Sequence, residues 1–504
     1  MKVWSNLVIF VLAVVFSSCY GESSKQWFYS IVIDAGSKGS RLVIFKWQPD
    51  TELSRKKIQV PITVGMKAVN PGLAASALDP GTVKDPLKEL LDFAIETLKP
   101  LEAVYQYIPL YLKATAGLRD LIPTARDAVM KETVGFISGY APFDFNASHA
   151  LVISGEEEGA YAWLAVNALR GTLGRDQGDS TFGVIDLGGA SVQISFVPDT
   201  NHYVLQNCYP MTLTDFSTYR LYSKSYLHYG IVEANRRLAS NIITENILKV
   251  DSVGVIENPC YYKGMEFSPD FATSEYKFPI TVDMVGSGNF PHCLSELGAL
   301  FSKTAVQCWV RDCTFDGVYQ PRLDSRPFMG IGNIGKILQL VGIATKSTLK
   351  EIHAKGSQMC AMSFEQIDTQ FNELSTKVKK NLCFSIAYIY VLLTVGLGFT
   401  ISDLADPSAL NSQIEFNNFV GSEKVDWALG AIIWEANQQP PSTISEYLQR
   451  TKSIDTTTVA VTDSQAVPSK SKTNRKHDIE GWGEKPDTKI RAQLPEHKLT
   501  TNYV

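Results

Sequence analysis

Two stretches of the chain each end an apolar run with an acidic residue and follow it with glycine and serine. They are "IVIDAGSKGSRLVIF" (residues 31–45) and "GVIDLGGASVQISF" (residues 183–196). Each stretch predicts a strand, a tight turn and a second strand. Asp34 and Asp186 occupy the same position relative to the glycines. An ordinary hairpin within a core does not need this polarity, and two copies with matched spacing favour a bound ligand.

Glycine-rich turns of this kind suit a polyphosphate. Glycine lets backbone N–H groups approach phosphate oxygens closely, and such N–H nests bind anions. Ser37, Ser40 and Ser191 add hydroxyl donors. Asp34 and Asp186, at the strand ends, would hold a divalent cation directly or through its water ligands. We therefore expect the two turns to face each other across a cleft and to hold one phosphate chain from both sides.

Two further polar stretches lie between these turns. The first, "KATAGLRD" (residues 113–120), predicts a loop carrying Thr115 and then a helix that begins near Arg119. The second, "ISGEEEGAYAW" (residues 153–163), has three consecutive glutamates at the start of a predicted helix. Acidic residues are favourable at a helix N-terminus, which suffices to explain two of the three. A glutamate aimed at a bound phosphate would instead accept a proton from an attacking water molecule.

The elements that carry these motifs predict an α/β architecture. Strand-like apolar runs alternate with helical stretches through the first two hundred residues of the 504-residue chain. Residues 83–101 have helical spacing, with one apolar side formed by Leu87, Leu90, Leu91 and Ala94. The helix that follows the glutamates is expected to end near Gly171. A net charge of −5 shows no basic excess, so we expect no nucleic-acid partner.

Together these motifs resemble those of a known family. In order and spacing, "DAGSKGSR", "ATAGLR", "SGEEEGAYAW" and "DLGGASVQ" resemble the apyrase motifs of the ecto-nucleoside triphosphate diphosphohydrolases, which include secreted apyrases and Golgi nucleoside diphosphatases. The resemblance covers about residues 28–438 and continues in "KSYLHYG", "NPC", "CWVRDCTFDGVY", "FSIAYIYVLLTVGLGF" and "DWALGAIIWEA". It implies a two-lobed, ribonuclease H-like α/β fold of the actin, heat-shock ATPase and sugar-kinase type, with the active site in the cleft between the lobes.

The resemblance also implies how the chain divides. The N-terminal lobe would comprise residues 27–155 plus 402–440, and the C-terminal lobe would comprise residues 156–401. Residues 441–504 are polar, mixed in charge and poor in core residues, so we expect a disordered tail. We expect the protein to be a monomer.

The implied catalytic residue is Glu158, the glutamate just before the motif glycine, which would act as the general base. Glu156 and Glu157 would be structural or peripheral. Asp34 and Asp186 match the acids that organise the cation, Ca²⁺ or Mg²⁺, through water. The implied phosphate- and water-contacting positions are Gly36, Ser37, Lys38, Gly39, Ser40, Thr115, Gly188, Gly189, Ala190, Ser191 and Gln193.

The chain departs from the family pattern at three places. Lys38 stands where the first turn usually carries Thr or Ser, and its ammonium would either reach the phosphates or face solvent. Leu397 stands where an aromatic residue often stacks on the nucleobase, and a motif usually rich in Phe and Tyr is here "FMGIGNIGKIL". Candidates for contacting the base are Phe328, Asn333 and Phe399.

The implied reaction is removal of the terminal phosphate from nucleoside tri- or diphosphates by direct attack of water, without a phosphoenzyme. The residues leave open three other functions. An exopolyphosphatase or a phosphotransferase of the same superfamily would share the two turns, and a non-catalytic nucleotide-binding protein would also need them. The sequence does not choose among triphosphates and diphosphates, among nucleobases, or between the two cations.

The N-terminus predicts entry into the secretory pathway. Residues 1–21 have one Lys, about ten apolar residues and then small residues, which is typical of a signal peptide. We expect a secreted, extracellular protein, with a Golgi-lumenal protein or an uncleaved membrane anchor as alternatives. A second apolar stretch, residues 382–400, approaches membrane-spanning length, but its tyrosines and glycines favour a buried helix. Asn146 begins an Asn-X-Ser triplet and is a candidate glycosylation site.

Secretion makes disulfide bonds the expected state of the cysteines. An odd number follows the predicted signal peptide, so one is expected to remain unpaired. Sequence alone does not fix the connectivity. Pairing of neighbours would leave Cys208 alone and would join Cys260 with Cys293, Cys308 with Cys313, and Cys360 with Cys383.

Overall fold

The computed structural model describes most of the chain between residues 27 and 450. The described residues are 27–48, 60–174, 180–199, 204–213, 218–247, 255–269, 282–301, 313–323, 326–399, 414–438, 446–447 and 449–450. The predicted signal peptide (1–21), Cys308 and nearly all of the predicted tail (441–504) lie outside this part of the chain.

Strands form two main sheets and two small ones. The first sheet has the order β3-β2-β1-β4-β5, and the second has the order β14-β13-β6-β7-β9-β8. The strands are β1 Phe28–Ala35, β2 Ser40–Trp47, β3 Ile62–Val69, β4 Leu110–Ala114, β5 Ala150–Val152, β6 Gly183–Leu187, β7 Ser191–Phe196, β8 Cys208–Thr212, β9 Thr218–Leu227, β10 Ile256–Asn258, β11 Glu266–Phe267, β12 Met284–Gly286, β13 Phe328–Gly332, β14 Ile414–Phe416, β15 Phe419–Val420 and β16 Glu423–Lys424.

Helices surround both main sheets. They are α1 Lys84–Thr97, α2 Ala116–Arg119, α3 Pro123–Tyr140, α4 Gly155–Arg170, α5 Ile231–Ile247, α6 Phe290–Ala299, α7 Asn333–Leu340, α8 Leu349–Cys360, α9 Phe364–Gln370, α10 Thr376–Lys380, α11 Leu382–Val391 and α12 Trp427–Gln438. Two hydrophobic cores result, one mainly around the first sheet with α4 and α12, and the other around the second sheet with α5 and α11. The prediction of an α/β architecture is confirmed.

The two glycine-containing turns have the same geometry. In the β1–β2 hairpin, Asp34 lies opposite Arg41, and the Gly36 N–H donates to the Gly39 carbonyl over 3.0 Å. In the β6–β7 hairpin, Asp186 lies opposite Gln193, and the Gly188 N–H donates to the Ser191 carbonyl over 2.9 Å. Each hairpin also has a parallel neighbour, β4 beside β1 and β13 beside β6. The predicted repeat of strand, turn and strand is therefore present in both sheets.

Two helices predicted from the sequence are present with the expected faces. The buried side of α1 consists of Leu87, Leu90, Leu91 and Ala94, as its periodicity predicts. Helix α4 ends at Arg170, and Gly171 follows it with a φ of 63°, a left-handed conformation that glycine adopts readily. At its start, the Ser154 hydroxyl accepts a hydrogen bond from the Glu157 N–H over 3.0 Å. This cap fixes where the glutamates emerge.

The segment 382–400 contributes to the second core. Helix α11 is apolar on all sides, and apart from half-buried Tyr390 its described residues and the first two of the π-helical turn Leu392–Gly396 are buried. No helix in the described part of the chain is long and apolar enough to span a bilayer. The expectation of a buried helix is confirmed, because the second core covers every side of it.

Disulfide bonds tie the helices of this region together. Cys360 of α8 is bonded to Cys383 of α11, and Cys260 is bonded to Cys293 of α6. Cys313 is also disulfide-bonded, and Cys208 is free and exposed. Two of the three neighbour pairings are thus present, while the third involves Cys308, which is not described.

Strand β14 lies within residues 402–440, which the sequence assigns to the N-terminal lobe. It nevertheless pairs in parallel with β13 of the second sheet, with Phe328 opposite Ile414. The chain then returns to the first core, where Val425 is buried and Glu435 of α12 forms an ion pair with Lys113 of β4 over 2.8 Å.

Helices α4 and α12 cross at very short range. A β-carbon placed on Gly430 would lie 1.8 Å from the Tyr161 carbonyl oxygen, which no real contact permits. Glycine is therefore required at this crossing. The contact holds the start of α12, and with it Asp426, beside the start of α4, where the glutamates lie.

We predict that Gly430→Ala destabilises the protein by about 3 kcal/mol, because the new methyl group must push two buried helices apart. The matched control is Gly135→Ala in the exposed face of α3, where a β-carbon would meet no atom within 4 Å. The control should stabilise the protein by about 0.5–1 kcal/mol, since alanine is the better helix former. Urea unfolding measures both changes, and equal effects of the two substitutions would contradict the close crossing.

Candidate active site

The two turns meet at one pocket of about 350 Å³. A β-carbon on Gly189 would lie 2.9 Å from the Ser37 Oγ and 3.0 Å from the Lys38 Cε, so the turns are in direct contact. The predicted site residues that line this pocket are Asp34, Gly36, Ser37, Lys38, Gly39, Thr115, Glu158, Asp186, Gly188, Gly189, Ala190 and Ser191. Residues from four separate stretches of sequence thus reach one cavity.

Glu158 lies in the wall of this pocket and is held by several donors. Its Oε2 accepts a hydrogen bond from Arg119 Nη2 over 2.8 Å and another from Gln193 Nε2 over 3.3 Å. Gln193 also donates to the Ser191 Oγ over 2.8 Å and to the Ser225 Oγ over 2.9 Å. Burial raises the pKa of the Glu158 carboxyl, while the Arg119 charge opposes that rise. The carboxylate is consequently oriented and more basic than in water.

The other two glutamates of the run point elsewhere. Glu156 forms an ion pair with Lys224 over 3.2 Å, and Glu157 accepts a hydrogen bond from the Tyr161 hydroxyl over 2.7 Å. Both contacts lie away from the pocket lining. The expectation that these two residues are structural agrees with their positions.

Buried carboxyl groups concentrate at one end of the pocket. Asp34 has its pKa raised to about 7, chiefly by burial, against the attraction of Arg41. The pKa of Asp186 rises to about 8, chiefly by burial and then by repulsion from Glu158, Asp426 and Asp34. Such a group of acids is costly to ionise in the absence of positive charge. The donor set therefore fits a divalent cation.

The cation would be held through water rather than by a full set of protein ligands. Among the described residues, no group of three or more His, Cys, Asp or Glu side chains could hold a metal ion directly. Asp34 and Asp186 both line the pocket, at the ends of equivalent strands. Carboxylates in this arrangement can bind the water ligands of Mg²⁺ or Ca²⁺, both of which retain waters in protein sites.

Three further residues lie beside Asp34 and Asp186 at the acidic end of the pocket. Arg41 pairs with Asp34 over 3.1 Å and with Asp426 over 2.8 Å. The Asp426 Oδ1 also accepts a hydrogen bond from the Leu429 N–H over 3.1 Å and so caps α12. Gly332, with a φ of 68°, passes so close that a β-carbon there would lie 2.5 Å from the Asp186 Oδ1.

Some predicted residues lie behind the lining rather than in it. Ser40 is 1% exposed, and its hydroxyl has no hydrogen-bond partner among the described residues. Gln193 is 2% exposed and reaches the site only through its bonds to Glu158 and Ser191. Ser40 is thus placed to support the hairpin, whereas Gln193 is placed to orient the carboxylate.

The three candidates for contacting the nucleobase lie in different places in the structure. Asn333 lines the pocket and donates to the Leu187 carbonyl over 2.9 Å. Phe328 and Phe399 are instead buried in the second core, where their rings pack edge to face at 5.1 Å. Neither ring lines the pocket, because the apolar interior of the second sheet takes both.

Several polar residues at the site were not predicted as site residues, and Lys336, Asn418 and Lys424 of the pocket lining are among them. Arg41, Arg119 and Asp426 all lie within quoted stretches, but nothing local distinguishes them from surface charges. A spacing signal existed for Arg41, since it has the same place in the first hairpin as Gln193 in the second. Asn146 is exposed and caps a 3₁₀ turn by accepting from the Ser148 N–H over 2.9 Å, which leaves its glycosylation untested.

Comparison of the sequence with known protein families identifies the family of this chain. A model of the GDA1/CD39 (nucleoside phosphatase) family matches residues 21–451. The chain belongs to this family. It is therefore a nucleoside phosphatase, and the resemblance drawn from its motifs is confirmed.

Named relatives cover most of this nucleoside phosphatase. It is 28% identical over 415 residues to probable apyrase 4 of Arabidopsis thaliana, spanning 80% of this chain and 78% of that one. It is also 28% identical over 444 residues to ectonucleoside triphosphate diphosphohydrolase 1 of Bos taurus, spanning 82% of each. The crystal structure of nucleoside triphosphate hydrolases from Neospora caninum matches with a TM-score of 0.59 and 15% identity, over 88% of this chain and 100% of that chain. The predicted two-lobed α/β fold is confirmed.

We predict that Asp186→Asn stabilises the metal-free protein at pH 8. The folded pKa of about 8 exceeds the usual value near 4, so ionisation of this group opposes folding. Its destabilising effect is absent below about pH 4 and grows as the pH rises to about 8. In EDTA, the melting temperature of the variant should exceed that of the wild type at pH 8 and approach it at pH 4.

The control for this measurement is Asp127→Asn, which changes an exposed acid on α3. It should leave the pH dependence of the melting temperature unchanged. If Asp186→Asn melted at a lower temperature than the wild type at pH 8 in EDTA, the ionised Asp186 carboxylate would not be destabilising, and the prediction would be wrong.

Proposed function

We propose that this enzyme is an apyrase that removes the terminal phosphate of nucleoside tri- and diphosphates by direct attack of water activated by Glu158. The observation that carries the proposal is the position of this carboxylate. It lines the same pocket as both glycine-containing turns, and Arg119 and Gln193 fix its orientation. A base held beside a phosphate-binding turn can take a proton from water as the oxygen attacks phosphorus.

Ser191 and Gln193 support this role. The Ser191 hydroxyl lies 2.8 Å from the Gln193 amide nitrogen and 3.4 Å from Arg119 Nη2, beside the Glu158 carboxylate. A water molecule in this space would meet a carboxylate acceptor and hydroxyl and amide groups that orient it. The raised pKa of Glu158 makes it a stronger base than an exposed glutamate, while the Arg119 charge opposes that rise.

The two turns would hold the phosphate oxygens. Residues 37–39 and 189–190 line the pocket, so their backbone would approach the phosphate oxygens, while the Gly36 and Gly188 N–H groups donate within their own turns. A Ca²⁺ or Mg²⁺ ion near Asp34 and Asp186 would neutralise charge on those oxygens. Phosphoryl transfer needs little covalent chemistry from the protein, so positioning and charge account for most of the catalysis.

The same geometry also serves an exopolyphosphatase, whose substrate has the same anhydride bonds. A phosphotransferase would need an acceptor other than water. The position of Glu158 beside Ser191 and Gln193 supports water as the acceptor, because these groups can orient and deprotonate a water molecule. Measurement of released inorganic phosphate distinguishes hydrolysis from transfer.

We further propose that the protein is secreted, and we propose bounds for its two lobes. Two described disulfide bonds support folding in an oxidising compartment. The lobes would comprise residues 27–155 with α12, and residues 156–401 extended by β14, with α4 and α12 at the crossing. Mass spectrometry of the protein purified from a eukaryotic culture medium tests secretion, and a mature N-terminus near residue 22 is expected.

We predict that Glu158→Gln lowers kcat for ATP and ADP by about 10²- to 10⁴-fold, because the amide cannot accept the proton from water. Glutamine keeps the size and the acceptor oxygen facing Arg119, so the fold should persist. Phosphate release in Ca²⁺ or Mg²⁺ measures the loss, and excess EDTA should abolish the wild-type activity.

Glu156→Gln is the matched control, since it changes a neighbouring glutamate that faces Lys224 outside the pocket. It should retain nearly full turnover. If Glu158→Gln turned over ATP at close to the wild-type rate, Glu158 would not be the base.

A further inference from the structure

The side-chain amide nitrogen of Gln193 faces three oxygen atoms. It lies 2.8 Å from the Ser191 Oγ, 2.9 Å from the Ser225 Oγ and 3.3 Å from the Glu158 Oε2. An amide nitrogen of this kind carries two hydrogens, so it cannot donate a full hydrogen bond to each of three acceptors. The two hydroxyl oxygens are nearer, and the Glu158 carboxylate therefore receives the longest and weakest of the three contacts.

Strand β9 holds Ser225 beside this amide. It pairs antiparallel with β7, and Ser225 lies directly opposite Gln193 in the register. Side chains of directly opposite residues lie on the same face of a sheet. Helix α4 covers this face so closely that a β-carbon on Gly155 would lie 2.4 Å from the Ser225 Oγ. The packing therefore leaves the Ser225 hydroxyl little freedom to turn away from Gln193.

Ser225 is connected to the reaction through other side chains. It is half-buried and does not line the pocket, whereas Glu158 does. A hydrogen bond donated to a carboxylate favours its charged form and lowers its pKa. When Ser225 takes a share of the Gln193 hydrogens, the bond to Glu158 weakens and the carboxylate becomes a better proton acceptor.

The charged groups that face Glu158 come from other elements. Burial raises the pKa of Glu158, and Arg119 of α2 lowers it. Asp34 of β1 and Asp186 of β6 lie near enough for the Glu158 charge to raise their pKa values. Ser225 contributes no charge to this set. Its replacement therefore changes the hydrogen bonding of Glu158 and leaves the charges around it in place.

We propose that Ser225 is a positioning residue for the hydrolysis. Its hydroxyl fixes the plane of the Gln193 amide, takes a share of the amide hydrogens, and so keeps the hydrogen bond from Gln193 to Glu158 weak. This inference rests on the proposed function, because it assumes that Glu158 takes a proton from water.

The test is the pH dependence of kcat and KM for ATP, measured by phosphate release at saturating Mg²⁺. In Ser225→Ala, Gln193 loses one of its nearer acceptors, and the released N–H can bond fully to Glu158. We expect the acidic limb of the kcat profile to move to lower pH by about half a unit. The weaker base should lower kcat on the plateau by about threefold. KM should change by less than about twofold, because Ser225 does not line the pocket.

Gln193→Leu tests the same connection from the other side. It removes the N–H that reaches Glu158, so the acidic limb should move to higher pH, in the direction opposite to that of Ser225→Ala. In the double variant, the Ser225→Ala change should add no further shift, because no amide remains to be redistributed. Such non-additivity is expected of residues that act through one hydrogen-bond network.

Two further variants separate hydrogen bonding from packing. Ser225→Cys fills a similar space with a thiol, which is a weak acceptor, and should move the acidic limb in the same direction as Ser225→Ala. Ser223→Ala is the matched control on the same strand and the same face, since the Ser223 hydroxyl donates to the Glu156 carbonyl over 2.6 Å. It should leave the acidic limb at the wild-type pH. The melting temperature of each variant verifies that it is folded.

The outcomes distinguish the role of Ser225 from the proposed function. If Ser225→Ala and Ser225→Cys leave the acidic limb in place or move it to higher pH, the role of Ser225 is wrong while the proposed function stands. The same holds if Ser223→Ala moves the limb equally, or if the shifts add in the double variant. If the wild type releases no phosphate from ATP in either Mg²⁺ or Ca²⁺, or if Glu158→Gln keeps the wild-type rate, the proposed function fails and the role of Ser225 fails with it.

Discussion

The burial of carboxyl groups beside further acids is the constraint on which the site depends. Burial is the largest cause of the raised pKa of Asp34 and Asp186, and the charges of Glu158 and Asp426 raise both values further. Nothing in this arrangement favours folding by itself. The surrounding structure must therefore hold the acids together, which it does with the matched hairpins, the Arg41 ion pairs and the close crossing of α4 and α12. In the proposed mechanism, a bound cation would offset this electrostatic cost.

The two halves of the site are built alike but are used differently. Each sheet supplies a strand whose second-to-last residue is aspartate, a short glycine-containing turn and a parallel neighbour that also ends at the pocket. At the position opposite the aspartate, however, one hairpin has Arg41 and the other has Gln193. Arg41 balances charge among the acids, whereas Gln193 orients Glu158. The same hairpin geometry thus presents a charge-balancing side chain in one sheet and an orienting side chain in the other.

The local parts of this arrangement follow from the sequence, and the long-range parts do not. The spacing of apolar residues and the residue types in turns predict the hairpins, the buried side of α1 and the end of α4 at Gly171. Each of these features depends on residues that are close in sequence. Asp426 could not be predicted in this way, since its place depends on a helix crossing that one glycine permits. The burial of Phe328 and Phe399 likewise depends on how the second core closes around them. The return of β14 to the second sheet is also decided by tertiary pairing.

The pairing of Arg41 with Asp426 has a consequence for the life of the polypeptide. The two residues lie at opposite ends of the described chain, yet they meet beside Asp34. A ribosome must release almost all of the folded region before this contact can form. The arrangement of charges around Asp34 is therefore complete only when synthesis of the chain is nearly finished. A fragment that ends before residue 426 lacks Asp426, so Arg41 loses one of its two ion pairs beside the pocket.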